Sequence, residues 1–186
     1  MKTAFLALCI ATSAAAAPAL RTGSFDPPRQ APEFSLQGSN GAPVRLGAYR
    51  GKVVALGFGY TSCPDVCPTT LADLAKARKK LGAPAEDFQV IYVTVDPERD
   101  SAALLRTYLG AFDPTFLGAT GAPRELAEVR KAYGIQTSRT GKPPAYFVHH
   151  SSYVYLVDRA GKLRAMMPYG VPVDDIVHDV KALLAQ

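Results

Sequence analysis

"KVVALGFGYTSCPDVCPTTLADLAKARKKLG", residues 52–82, decides the fold. Its opening, "KVVALGF", is after Lys52 a continuous apolar run of strand length with no alternation, so it predicts a strand covered on both faces, as in a sheet with helices above and below. After Pro68, the apolar residues Leu71, Leu74, Ala75 and Leu81 recur at helical spacing. Lys76, Lys79 and Lys80 fall toward the other face, and Gly82 is a stop signal. Two cysteines, Cys63 and Cys67, each followed by proline, stand where strand gives way to helix. Pro64 disfavours helix for Cys63, and Pro68 suits a first helical position. Cys63 is therefore expected in the loop and Cys67 beside the helix start, where the dipole and the unpaired N–H groups favour thiolate. Asp65 works against that charge, and its expected role is to bond the first free N–H groups.

Working outward, "FSLQGSNGAPVRL" (34–46) carries short apolar alternations around Gly38, Asn40 and Gly41, a hairpin signal. "FQVIYVTVD" (88–96) is a second buried strand. Ser101 can cap a helix running to Gly110, a short strand is expected at Phe116–Leu117, and residues 122–133 form a further helix ended by Gly134. "AYFVHH" and "YVYLVDRAGKLRAMM" supply later strands, the last two joined by a turn at residues 159–161. Residues 173–184 close the chain as a helix with Val173, Ile176, Val177, Val180 and Leu184 on one side. This order gives a single α/β domain over residues 33–186, a mixed central sheet flanked by helices with an N-terminal hairpin.

Residues 1–17 are an apolar stretch behind Lys2 that ends in small residues, the pattern of a secretory signal peptide. Cys9 lies within it and is expected to be discarded. Cleavage after Ala16 satisfies the small-x-small rule; an uncleaved segment would instead tether the protein to the membrane. Residues 18–32, with four prolines, predict a linker that adds nothing to the core. The whole chain carries a formal charge of +5, and loss of Lys2 leaves +4. Signs are interspersed, so nucleic acid is excluded as a partner, and the lysines near the site suit at most weak docking on an acidic surface.

Without the leader only Cys63 and Cys67 remain, in a compartment that oxidises free thiols. A disulfide between them closes too short a loop to staple a domain of this size. Their separation allows Cα atoms about 6 Å apart, compatible with a redox disulfide, and equally allows both sulfurs on one metal ion. A further ligand would favour metal, and "VHHSSYVYLVD" offers His149 and His150 in the second half of the domain. Two thiolates and an imidazole form a soft set that suits Cu(I) and resembles sets that hold Cu(II); structural zinc would want a fourth ligand. Met166 and Met167 are better placed for core filling, with strand alternation sending one inward. His178, among Asp174, Asp175 and Asp179, fits a solvated helix face.

"GYTSCPDVCP", "VTVDPERDS" and "VHHSSYVYLVDRAGKL" resemble, in order and spacing, the motifs of the Sco/SenC family, from about Phe34 to the end of the chain. The resemblance implies a thioredoxin-like fold and a copper chaperone of cytochrome c oxidase assembly in the bacterial periplasm. It implies copper, as Cu(I), Cu(II) or both, on Cys63, Cys67 and the late histidine. The family's histidine follows an aspartate and precedes serine or threonine, so the match falls on His150. His149 stands in the aspartate's place and is the alternative ligand. The implied acceptor is oxidase subunit II, served by a monomer, with a periplasmic copper donor or thiol reductase as a further partner. The alternative function is a thiol-disulfide oxidoreductase in which Cys63 and Cys67 are the redox dithiol that reduces the oxidase's copper-ligand cysteines. Asp96 and Asp100 match a loop-ordering segment. A peroxiredoxin reading fails, because the Pro and Thr needed seven and three residues before the reactive cysteine are Leu56 and Tyr60 for Cys63, and Tyr60 and Pro64 for Cys67.

Overall fold

The computed structural model describes residues 19–143 and 145–186; the leader expected over residues 1–17, Cys9 within it, and Pro18 lie outside the described residues. In chain order the elements are β1 (Arg29–Gln30), β2 (Ser35–Gly38), β3 (Pro43–Arg45), β4 (Val53–Gly59), α1 (Val66–Leu81), β5 (Phe88–Thr94), α2 (Ala102–Gly110), β6 (Leu117–Thr120), α3 (Pro123–Ala132), β7 (Thr137–Lys142), β8 (Ala145–His150), β9 (Val154–Val157), β10 (Lys162–Met167) and α4 (Val173–Leu184).

Every residue of β4 is buried, as its unbroken apolar run requires. It pairs in parallel with β5, and β5 with β6, while β9 lies antiparallel on its other side. The sheet runs β1-β10-β9-β4-β5-β6-β2-β3, mixed as expected, with the β2–β3 hairpin at one edge. On α1 the buried face is Leu71, Leu74, Ala77 and Leu81, and the helix packs against α4. Lys80 reaches Asp174 of α4 at 2.7 Å and Lys76 pairs with Asp73 at 2.9 Å, so two of the three lysines are engaged within the chain. Helix α2 is capped by Ser101 Oγ, which accepts from Leu104 N. It closes onto β6 at Gly118, where a Cβ would stand 2.7 Å from that of Leu105. Met167 points inward and Met166 outward, as alternation demands.

Three local expectations are corrected. Of the segment 18–32, the described residues 19–32 are no free linker: Ala31 is buried, Leu20 and Phe25 pack on the core, and β1 adds a strand to β10. Asp179 is not on a solvated face but fully buried, accepting from Arg21 N, Thr22 N and Thr22 Oγ1, with His178 Nδ1 2.9 Å away. These bonds, invisible to a local reading, hold the N-terminal arm against α4. Finally, "AYFVHH" is a strand but does not join the main sheet; as β8 it pairs with β7, whose residues are all exposed.

Side chains rather than sheet bonds tie this separate hairpin to the body. Tyr146 OH donates to the fully buried Asp96 Oδ1 at 2.7 Å, Arg99 Nη1 donates to Tyr146 O, and Arg139 pairs with Glu98. Arg99 also lies over the Tyr146 ring, 3.8 Å from its centroid. Tyr146→Phe removes a donor from a buried carboxylate and is expected to cost about 1–3 kcal/mol. Urea unfolding gives the loss, and faster amide hydrogen exchange concentrated in β7 and β8 would locate it.

Candidate metal centre

The site lies at the carboxyl ends of β4 and β5, where parallel strands of α/β sheets commonly present ligands. Cys63 is in the loop, as Pro64 requires, and half-buried. Cys67 is buried in the first turn of α1, which begins at Val66. Pro68 is thus the third helical residue and not the first. It is tolerated because the first four helical N–H groups have no intrahelical partner to lose. Asp65 occupies the N-cap position, yet its side chain makes no capping bond and is exposed; its carbonyl accepts from Thr69 instead.

The cysteine loop is held by Asp100, fully buried, which accepts from Thr61 N at 3.1 Å, Thr61 Oγ1 at 2.6 Å and Thr94 Oγ1 at 2.7 Å. Burial pushes the Asp100 carboxyl up, and those hydrogen bonds oppose the shift. Asp96 and Asp100 thus order the loops as expected, one through the hairpin and one through the cysteines.

His150 ends β8 and brings Nε2 to 3.4 Å from Cys67 Sγ. Its other nitrogen, Nδ1, is 3.0 Å from Ser151 O and must donate to that carbonyl. The tautomer is thereby fixed, and the Nε2 lone pair faces the sulfur. Burial lowers the His150 pKa, so the ring is neutral at physiological pH. The Tyr60 ring braces the imidazole edge-on at 6.1 Å, and Tyr60 OH accepts from Val148 N. His149 points elsewhere: it is exposed, and its Nε2 is 2.9 Å from Thr140 Oγ1 across the hairpin.

Both thiols are free. Burial pushes the Cys67 thiol up to about 12, against smaller opposing contributions from Tyr92 and the Tyr60 backbone. Cys63 sits beside Cys67 and shares an open groove with His149 and His150. Among the described residues, however, no three His, Cys, Asp or Glu side chains already stand close enough to share one ion. Cys67 and His150 are brought together; Cys63 is adjacent but not yet gathered with them.

A profile of the SCO1/SenC family matches residues 23–185, nearly the whole described chain. The chain belongs to the SCO1/SenC family. A SCO2-like protein of Rickettsia conorii is 33% identical over 133 residues, 70% of this chain and 65% of that protein, so the chain spans less than two thirds of the relative's length. Among solved structures, Bradyrhizobium japonicum ScoI with copper bound superposes with a TM-score of 0.77 at 33% identity, covering 83% of this chain and 99% of ScoI. BsSco, described as having a disulfide switch and as a member of the Sco family of cytochrome c oxidase assembly proteins, is 31% identical with a TM-score of 0.66, covering 85% of this chain and 95% of BsSco. The thioredoxin-like α/β fold expected from the sequence is therefore that of the Sco structures, and the match extends into the arm that sequence reading had set aside.

In this Sco protein, sequence reasoning missed the residues that aim the histidine. Tyr60, Arg99 and Tyr146 are scattered in sequence, and their joint role becomes visible only once Arg99 is stacked on both rings. It also missed Tyr92, whose one visible signal is a hydroxyl within the apolar run Val90–Val93 of β5.

Proposed function

We propose that this chain is a copper-binding chaperone of cytochrome c oxidase assembly, holding copper through Cys63, Cys67 and His150 and passing it to the two-copper site of subunit II. The observation that carries the proposal is the free Cys67 thiol 3.4 Å from an Nε2 lone pair whose tautomer is fixed by Ser151. A soft sulfur beside a neutral imidazole suits copper in either oxidation state. Cys63, on a short loop beside Cys67, completes the set by moving its side chain toward His150. The protein acts after export to the bacterial periplasm behind the 1–17 leader, tethered if that leader is retained. Among the described residues no helix is long and apolar enough to cross a membrane.

The test is copper titration of the reduced mature domain, with one ion per chain and a sulfur-to-copper charge-transfer band expected for Cu(II). A disulfide offers no thiolate, so the oxidised form is expected to bind far more weakly. Because the Cys67 thiol is held at about 12, copper must expel its proton at neutral pH. Affinity should therefore climb as pH rises, by about tenfold per unit for each proton released. A pH-independent affinity between pH 6 and 8, measured against a chelator of known protonation, would show that Cys67 is not the ligand.

A second reading, thiol-disulfide exchange on the oxidase's copper-ligand cysteines, is favoured by two adjacent free thiols of which one is half-buried. Cys63 would attack, since burial keeps Cys67 protonated at neutral pH. Rapid reduction of an acceptor disulfide by the metal-free dithiol would support it.

A further inference from the structure

Tyr92 lies buried in β5, and its hydroxyl is shielded from solvent with no hydrogen-bond partner among the described residues. Its oxygen nevertheless lies close to the Cys67 sulfur, without bonding it. The two atoms meet over Gly59: a Cβ there would stand 2.0 Å from Tyr92 OH and 2.7 Å from Cys67 Sγ. The bare backbone of β4 is what allows the phenol and the sulfur to converge. Behind Tyr92, the Tyr108 ring packs at 6.5 Å, and its own hydroxyl is buried and unpartnered among the described residues, so the two phenols do not bond each other.

A buried donor left without a partner is costly, and a neutral thiol is only a weak acceptor. A metal-bound sulfur carries negative charge and accepts a much stronger bond. We propose that Tyr92 is a positioning residue for Cys67: its hydroxyl donates to the Cys67 sulfur once that sulfur is bound to copper. The inference rests on the copper site proposed above. Such a bond draws electron density from sulfur and stabilises the more electron-rich Cu(I)–thiolate over the Cu(II) form, as hydrogen bonds around a ligating cysteine tune copper potentials. Tyr92 thereby biases the site toward Cu(I).

The test compares wild type with Tyr92→Phe, which keeps the ring and removes the oxygen. In the reduced metal-free protein the variant should be as stable as wild type or more so, because the lost hydroxyl had no partner there. With copper, its preference for Cu(I) over Cu(II) should fall about three- to tenfold, the larger value corresponding to a potential lower by about 59 mV. Its sulfur-to-Cu(II) band should move to lower energy. Resonance Raman of the wild type in D2O should show a deuterium shift of the copper–sulfur mode that is smaller in the variant, a readout that needs no stable mutant to be detected in the first place. An unchanged band and potential in Tyr92→Phe, or the absence of any deuterium shift in wild type, overturns the role of Tyr92 and leaves copper binding standing. No sulfur-to-copper band in wild type overturns the copper site itself and this inference with it.

Discussion

Cys67→Ser is expected to abolish tight copper binding in both oxidation states. Changes to groups that merely orient a ligand cost about 10- to 100-fold in metal affinity, so loss of the central ligand should exceed about a hundredfold. Cys67 is the sulfur that His150 already faces, and it is buried in the first turn of α1. A serine hydroxyl stays protonated at neutral pH and is a hard ligand, poorly matched to Cu(I). Cys63→Ser should also remove tight binding, but by a different route, leaving the Cys67–His150 pair intact as a two-ligand remnant. The measurement is chelator competition on reduced protein, with thermal unfolding alongside to show that both variants are folded. An affinity for Cu(I) within about tenfold of wild type in Cys67→Ser would remove Cys67 from the site.

The asymmetry between the two cysteines was only partly legible in the sequence. The prolines correctly separated a loop thiol from a helix thiol, because proline restricts the backbone locally. Burial is a tertiary property: Cys67 is buried with its sulfur close over Gly59 of β4, and nothing in residues 63–67 announces that its proton is held so firmly. A helix N-terminus alone would have lowered the thiol; desolvation wins here because the sulfur has lost its water. The central strands and α1 were legible for the opposite reason, since their apolar runs and spacing are imposed by burial on a known period. Strand β7 was not, because "TSRTGK" buries nothing and takes its strand conformation from pairing with β8. The arm over residues 19–32 was misread for a similar reason: a proline-rich composition signals lack of helix, not lack of contact, and its anchors at Asp179 and β10 lie far away in sequence.

His150→Ala is expected to weaken Cu(II) sharply while leaving a two-thiolate site that still holds Cu(I), because Cu(I) tolerates low coordination by soft sulfur and Cu(II) needs the nitrogen. The adjacent His149→Ala should have little effect. Successive residues of a strand point to opposite sides, and β8 uses this to send the two imidazoles apart. His150 turns inward to Cys67, its ring edge on Tyr60 and its Nδ1–H on Ser151 O, whereas His149 turns outward to Thr140. The place where the family motif carries aspartate is thus filled by a histidine that faces the hairpin and not the thiols, so the departure from the motif leaves His150 in place beside Cys67. Losing His149 should at most loosen the β7–β8 pair, shifting affinity by less than about tenfold, the lower end for groups that only support a ligand. Both variants and wild type would be loaded with Cu(II), following the sulfur-to-copper band together with nitrogen coupling in electron paramagnetic resonance. Nitrogen coupling lost in His149→Ala and kept in His150→Ala would reverse the assignment, and coupling kept in both would take histidine out of the site.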